Sequence, residues 1–581
     1  MKTLIKLLMP YKWHLVAVAI TDATGMVMTL CMPYIMSRII EDGIAASSIS
    51  VIIESAIVML LLSVTAIASS LIANKINTTL TVGYTADLQR VAFEKINSLS
   101  YHQYSKIGPS GLLTRATDDI FNIEGAASGL VYTIVTVPIM LIGATVLAFL
   151  ADWVLALVFM VSIPPVMLII FFIMRPLYDM WDKSDHYIDE QNKIVRERLS
   201  GLRVVRAFNN ERKEHARAKF ATEEMSKYMI RANVRGGYIE PIAMMLLNIA
   251  TVVMVAVGGG RASAGLLRDA GSVVAIVQYV ALISGALLNL SWTIAWLPRL
   301  RVSIRRIGEV LNMEKEDEGA TDSQSAEIKI SGSDLVLSKV YFTYPEGRAP
   351  TLKDVSMTVK GGERVAIIGG TGSGKSTLVR VLLSLYNIDS GEISIGGVPY
   401  SAVTRGEIRR KFSVALQRGM IFEGTLGENV RMGSPEATDG EVRAVLADCA
   451  MEGFINEHEE GLDYLLVGSG RNVSGGQKQR INMARTVIRE ADIYIFDDSF
   501  SALDFLTERT IKDNLAKRLA GKTQITVTQR VGTAMSAERI FVMDDGKIVA
   551  SGTHLELLEA CSIYREICIS QLGKDAIGGD A

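Results

Sequence analysis

Cysteine is scarce and scattered in this sequence. Its four thiols, Cys31, Cys449, Cys561 and Cys568, form no CxxC pair. That spacing supports neither a disulfide framework nor a zinc site, and the thiols read as reduced and incidental. Net charge is nearly absent too. The 60 basic and 62 acidic residues almost cancel, which removes any global argument for nucleic acid as a partner. The first residues do not have the pattern of a cleavable leader. "MKTLIKLLMPYKWH" has lysines but no short apolar core followed by small residues, so it reads as a retained cytosolic lead-in. Charge is most absent from long runs of the first half. "VLALVFMVSIPPVMLIIFFIM", Val154 to Met174, contains none and is long enough to cross a bilayer core.

Gly125–Ala151, Pro241–Gly260 and Gly271–Pro298 have the same character, Ser55–Asn74 is a fifth stretch, and a sixth runs from about Trp13 to Met36 around Asp22. Positive connections stay on the cytosolic side of a membrane. Lys2, Lys6 and Lys12 mark the lead-in, and Lys75, Arg90, Lys95, Lys106 and Arg115 lie between the second and third spans. The connection from about Arg175 to Arg235 is denser still, whereas the remaining ones are short, one little more than Asp152–Trp153. A multi-pass protein with both termini in the cytosol is expected, in a cell membrane of the bacterial plasma-membrane kind. The long connections hold few breakers, so the membrane helices are expected to continue into the cytosol. Asp22, Glu54 and Glu240 lie within or beside spans, where ionisable residues are functional hypotheses by default. Trp292 and Trp296 fit helix packing or a membrane interface better than a substrate platform.

Hydropathy changes abruptly after Leu311. The expected organisation is a membrane domain over 1–311, a polar linker over 312–330, and an α/β domain over 331–581 in which strand-like and helix-like runs alternate.

The strongest motif is "RVAIIGGTGSGKSTLVRVLL". An apolar strand enters Gly369-x-x-x-x-Gly374-Lys375-Ser376, and a helix follows. This is the P-loop pattern in its required strand–loop–helix context. Backbone amides through Thr371, Gly372, Ser373, Gly374 and Thr377 would wrap phosphates at a helix N-terminus. Lys375 would reach the β- and γ-phosphates, and Ser376 would ligate Mg²⁺. About 120 residues on, the strand "DIYIF" ends at Asp497, a second Mg²⁺-side oxygen. ATP and Mg²⁺ are the expected cofactors.

Between them, "VSGGQKQRINMARTVI" places Ser474-Gly475-Gly476-Gln477 before a helix. Physically this is a second phosphate cradle. It resembles the signature of ATP-binding cassette (ABC) transporters, and nearly the whole chain resembles the exporters of that family. The resemblance implies a head-to-tail dimer in which the signature is donated to the partner's nucleotide. It implies an adenine-stacking role for Tyr344 in "VYFTYP". It makes Gln417 the glutamine that touches Mg²⁺ and the water, and Asp504 in "SALD" the end of the D-loop joining the two sites. Tyr101–Ile120 and Leu199–Glu214 look like the two cytosolic coupling segments of a six-helix exporter.

The chain departs from the family at catalytic positions. The usual glutamate general base is Asp498, one methylene shorter, and a loss of about 1 Å in reach costs on the order of a hundredfold. The usual switch histidine is Gln529, which hydrogen-bonds but carries no proton charge. Val473 replaces a common leucine, and "LLVGSGRN" lacks the glutamate often found before the signature. The expected molecule is one subunit of an ATP-driven exporter of amphipathic or hydrophobic substrates, whether drug, lipid or peptide. Its own ATP site is expected to be slow, its donated signature intact, and its partner a second half-transporter with glutamate and histidine at these positions. The alternatives are a slow homodimer and, less favoured, a non-transporting membrane sensor.

The charge pattern makes a direct prediction. Single cysteines placed at Lys106 or Arg206 in a cysteine-free background are expected to resist impermeant maleimides added outside intact cells. Efficient labelling of either would invert the orientation.

Overall fold

In a computed structural model, residues 2–264, 270–314, 316 and 330–573 are described. The chain divides into two compact units, Met1–Ile96 with Ser110–Asn312, and Asn97–Pro109 with Met313–Ala581. Most of the expected linker, residues 315 and 317–329, lies outside the described residues.

The first unit is helical. Its main helices are Lys12–Arg38, Ile49–Asn97, Asp118–Ala151, Trp153–Ala207, Glu211–Gly237, Ile239–Ser263 and Ala270–Leu311. Each apolar stretch read from the sequence falls within one of them. Five continuous helical stretches, Leu4–Ala45, Ile49–Asn97, Pro109–Ala151, Trp153–Ala207 and Glu211–Arg261, are long and apolar enough to cross a membrane. The sixth expected span lies in Ala270–Leu311, where the described apolar part is Gly271–Leu287. The side chains of Trp292 and Trp296 are outside the described residues. Ile49–Asn97 has 49 residues. At a rise of about 1.5 Å per residue it is roughly 73 Å long, over twice a hydrocarbon core, so the helix does run on past the apolar stretch. Its outer face is apolar: Leu60, Leu61, Val64, Ile67 and Leu71 are all exposed, as suits a lipid surround.

Inside this unit the packing is close. Leu30, Met140, Ala144, Ala148, Leu155, Tyr279 and Ile283 share a buried core. A Cβ on Gly143 would lie 2.6 Å from Leu30 Cδ1. The shortest connection is held by Asp152, whose carboxylate accepts from the amides of Val154 and Leu155 at 2.9 and 3.0 Å and pairs with Arg261 at 3.2 Å. One aspartate therefore both starts a helix and ties it to another.

The second unit is α/β. An antiparallel sheet contains β1 (Leu335–Phe342), β2 (Leu352–Val359), β4 (Ser390–Ile395) and β5 (Val398–Pro399), in the order β2-β1-β4-β5. The main sheet contains β3 (Arg364–Ile368), β6 (Phe412–Ala415), β9 (Ile493–Asp497), β10 (Thr523–Thr528), β11 (Arg539–Asp544) and β12 (Lys547–Gly552), in the order β12-β11-β3-β10-β9-β6. It is parallel except for the edge strand β12. A short pair, β7 (Gly424–Thr425) and β8 (Leu465–Leu466), lies apart. β9 is buried along its whole length, which is why it reads as an unbroken apolar run rather than an alternating one.

One boundary differs from the sequence reading. The first coupling segment, Tyr101–Ile120, was expected inside the membrane domain; its part up to Pro109 groups with the second unit and its part from Ser110 with the first. The reason is contact across the sequence: Glu316 N donates to the Ser98 carbonyl at 3.0 Å, and Tyr101 packs against Tyr386 at 5.6 Å between ring centroids.

Candidate functional site

The site forms at the carboxyl ends of three adjacent parallel strands, the usual place for ligands in open α/β sheets. β10 lies between β3 and β9, pairing Thr528 with Ile368 and Val527 with Asp497. The P-loop therefore leaves β3, Gln529 leaves β10, and Asp498 leaves β9 at one level.

Two glycines of the P-loop are dictated by space. A Cβ on Gly369 would lie 2.1 Å from the Met543 carbonyl oxygen. Gly374 has φ +102°, and a Cβ there would meet Met543 Cε at 2.9 Å. Gly374 precedes the helix Lys375–Leu382. Lys375 Nζ donates to the carbonyls of Gly369 and Gly370 at 2.8 and 2.6 Å and to Ser373 Oγ at 3.3 Å. Burial lowers its pKa, against the pull of Asp498 and Asp497. The ammonium thus rests on carbonyls that a phosphate can replace with a better partner. Thr377 and Tyr344 share a hydrogen bond of 3.0 Å, and Arg380 donates to the Tyr344 hydroxyl at 2.8 Å. Tyr344 is therefore fixed to the P-loop helix.

The two carboxylates differ in surroundings. Asp497 is buried, and no hydrogen bond reaches its carboxylate from the described residues. Burial, then the neighbouring Asp498, pushes its pKa up to about 6, while Arg380 and Lys375 pull the other way. Asp498 has φ +48°, a left-handed conformation that aspartate tolerates better than most residues. Its amide donates to the Val527 carbonyl at 2.8 Å. Its carboxylate lies 3.4 Å from Gln417 Nε2, too long for a strong bond. Burial raises the Asp498 pKa, opposed by Gln417 and Arg530. Ser376, Asp497 and Gln417 offer only oxygen to a metal. Hard oxygen donors suit Mg²⁺, which usually binds through one or two carboxylates and substrate phosphates. A buried carboxylate without a donor fits that role.

Gln529 is held from both sides. Its Oε1 accepts from Thr371 Oγ1 at 3.2 Å. Its backbone carbonyl accepts from Gln571 Nε2 at 2.7 Å, while Gln571 Oε1 accepts from Val531 N at 2.9 Å. Gln571 was not foreseen, and no local pattern marks it.

The signature is a capping box. Ser474 Oγ accepts from Gln477 N at 3.2 Å, and Gln477 Oε1 accepts from Ser474 N at 2.7 Å, opening the helix Gly475–Ile488. The Gln477 carbonyl is thus committed to the cap, leaving the serine hydroxyl proton for an external acceptor. Gly475 faces open space, and a Cβ on Gly476 would come within 3.2 Å of the Ala502 carbonyl. Gln479, also unforeseen, fastens this helix to the D-loop through Ser501 Oγ at 3.2 Å and Ala502 N at 3.0 Å. Asp504 caps the helix Phe505–Arg518 by accepting from Thr507 N at 2.9 Å. Among the described residues, no hydrogen bond joins Ser474–Gln477 to the P-loop of the same chain.

The chain matches two family descriptions. The "ABC transporter transmembrane region" spans residues 15–287, and "ABC transporter" spans residues 352–501. An uncharacterized ABC transporter ATP-binding protein of Mycobacterium tuberculosis is 31% identical over 98% of both chains. A probable multidrug resistance ABC transporter ATP-binding/permease protein of Bacillus subtilis is 30% identical over 80% of this chain and 79% of its own. The solved structure of a bacterial Atm1-family ABC exporter with ATP bound superposes with a TM-score of 0.83, covering 96% of this chain and 98% of that one at 22% identity. That likeness shows a common fold.

The raised pKa of Asp497 predicts a stability effect. The folded protein binds more protons than the unfolded chain between the ordinary aspartate value and about 6. Stability from this group is therefore lost as pH rises through that window. Asp497→Asn is expected to raise the thermal midpoint of the nucleotide-free protein at pH 7.5, with the gain shrinking at pH 4.5. An equal or lower midpoint for the variant at pH 7.5 would remove the argument.

Proposed function

This chain belongs to the ABC transporter family, as an exporter with fused membrane and ATP-binding domains, and on that premise we propose that it is the slow-site subunit of a heterodimer. ATP hydrolysis coupled to transport is the activity of the assembly. The observation that carries the asymmetric reading is the pairing of Asp498 with Gln529, two catalytic positions altered while the binding positions remain.

Each alteration has a physical consequence. The Asp498 carboxylate ends one methylene short of the place where a glutamate would meet the attacking water, and Gln417 holds it only loosely. A general base out of hydrogen-bond reach loses most of its effect. Gln529 accepts from the P-loop and is clamped by Gln571, so it steadies the loop without offering an imidazolium. Gly369, Gly374, Lys375, Ser376 and Thr377 cradle phosphates, and Tyr344 takes the adenine. Ser376 and Asp497, with Gln417, would hold Mg²⁺, which neutralises charge on the phosphates when bound. Ser474, Gly475 and Gly476 serve the γ-phosphate on the partner's P-loop, and Asp504 anchors the D-loop between the sites. Binding closes the nucleotide domains, and hydrolysis mainly at the partner's site resets them.

Amphipathic or hydrophobic substrates suit the membrane domain. The open face of Ile239–Ser263 carries Met244, Met245, Asn248 and Ile249, and methionine-rich surfaces adapt to varied ligands. The name of the Bacillus relative points the same way.

Two measurements test the reading. Purified without a partner, the chain is expected to turn ATP over poorly; robust ATPase abolished by Asp498→Asn would establish the homodimer instead. In the reconstituted pair, Ser474→Ala is expected to cost on the order of a hundredfold in turnover, as loss of one preorganised contact to the transferring phosphate does. Asp498→Asn is expected to cost less than about tenfold there, because that base is already poorly placed. The reverse order would overturn the assignment.

A further inference from the structure

A ladder of aromatic rings lies beside the nucleotide site and begins on the segment Asn97–Pro109. Tyr101 sets its ring against Tyr386 at 5.6 Å with the planes at 85°, and His102 approaches the same ring at 6.5 Å. Tyr386 then meets Tyr344 at 5.3 Å, again at 85°. Phe342, fully buried, backs both rings, 4.9 Å from Tyr344 and 5.4 Å from Tyr386. At the far end, the Tyr344 hydroxyl is bonded to Thr377 and Arg380 of the P-loop helix.

The near end is fastened as firmly. Glu316, whose amide bonds Ser98, receives Arg409 at 2.6 and 2.9 Å and Arg405 at 3.4 Å on its carboxylate. Arg409 also donates to the carbonyls of Leu383 and Ser384, just before Tyr386. The segment and the turn carrying Tyr386 are thereby held on one clasp. Tyr386 contributes only its ring, since no hydrogen bond involves its hydroxyl among the described residues.

We propose that Tyr386 is a positioning residue of the ATP site: its ring sets the face that Tyr344 offers to the adenine, and Tyr101 on the coupling segment sets the ring of Tyr386. This rests on the reading of Tyr344 as the adenine partner. Edge-to-face pairs depend on angle as well as distance. A base stacked on an aromatic ring loses affinity when that ring tilts. The coupling segment thus reads, and is read by, the base end of the nucleotide rather than the phosphate end.

The test compares two probes on the purified full-length chain, Mg·ATP and inorganic tripolyphosphate, by equilibrium calorimetry. Tyr386→Leu is expected to weaken Mg·ATP about tenfold and tripolyphosphate less than about twofold, because only base stacking is disturbed. Tyr386→Phe is expected to match the parent, since the ring is kept. Tyr101→Ala alters a residue that is 39% exposed, so the fold survives it. It is expected to weaken Mg·ATP about threefold while sparing tripolyphosphate. Equal losses for both probes in Tyr386→Leu indicate a merely structural ring and overturn the proposal. Tyr344→Ala separates the two readings. Unchanged Mg·ATP affinity in that variant removes the adenine assignment itself. A loss there, with none in Tyr386→Leu and Tyr101→Ala, removes only the positioning role.

Discussion

The nucleotide site depends on one constraint, the parallel register of β3, β10 and β9. Ile368 pairs with Thr528, and Val527 pairs with Asp497, so three strands end side by side. The Asp498 amide extends this ladder by one bond, to the Val527 carbonyl. The chemistry then comes from the residues at the three strand ends: a glycine loop after β3, a glutamine after β10, a second carboxylate after β9. Ile367, Ile495 and Val527 are almost fully buried in one core, and a slip of one residue would move each to the opposite side of the sheet and unpack that core. Core packing therefore enforces the register, and the register assembles the site.

The turn Ser474–Gln477 obeys a different logic. It needs no partner strand, because a helix N-terminus supplies its own amides. The capping box of Ser474 and Gln477 fixes that terminus, and Gln479 pins it to Ser501 and Ala502 of the D-loop. A phosphate cradle has to be rigid before the phosphate arrives. Here Gln479, outside the Ser474–Gln477 turn, supplies part of that rigidity.

Much of this was legible in the sequence, for identifiable reasons. Membrane spans announce themselves because every lipid-facing position must be apolar, and each expected stretch lies in a helix. The P-loop and Asp497 were legible because the glycines, the lysine and the strand end occupy contiguous positions. The serine–glutamine spacing of the signature reads as a helix start. What could not be read was long-range. Gln571 reaches Gln529 across 42 residues, and Gln479 reaches Ser501 across 22. Tyr386 sits in a turn with no motif, and its meaning comes only from Tyr101 on a distant segment. The same long-range contacts draw Asn97–Pro109 into the second unit, where hydropathy alone had left it with the membrane helices. Side-chain clasps of this kind leave no periodic trace.

The electrostatics bear on the proposed slow site as more than a loss. Asp497 and Asp498 stand side by side, and burial raises both pKa values. Burial lowers that of Lys375, which faces them. Each of these groups is held in a state that water would relieve, and in each case burial is the first cause. A polyanion with a divalent cation would relieve two of them, offering Lys375 a phosphate and Asp497 a metal. The gain rests chiefly on Asp497, whose buried carboxylate accepts no hydrogen bond among the described residues. None of it depends on how far the Asp498 carboxylate reaches or on whether residue 529 carries a charge. On the proposed reading, tight holding and fast cleavage depend on different atoms of one site. A chain can keep the first while its family's usual means for the second is shortened at Asp498 and uncharged at Gln529.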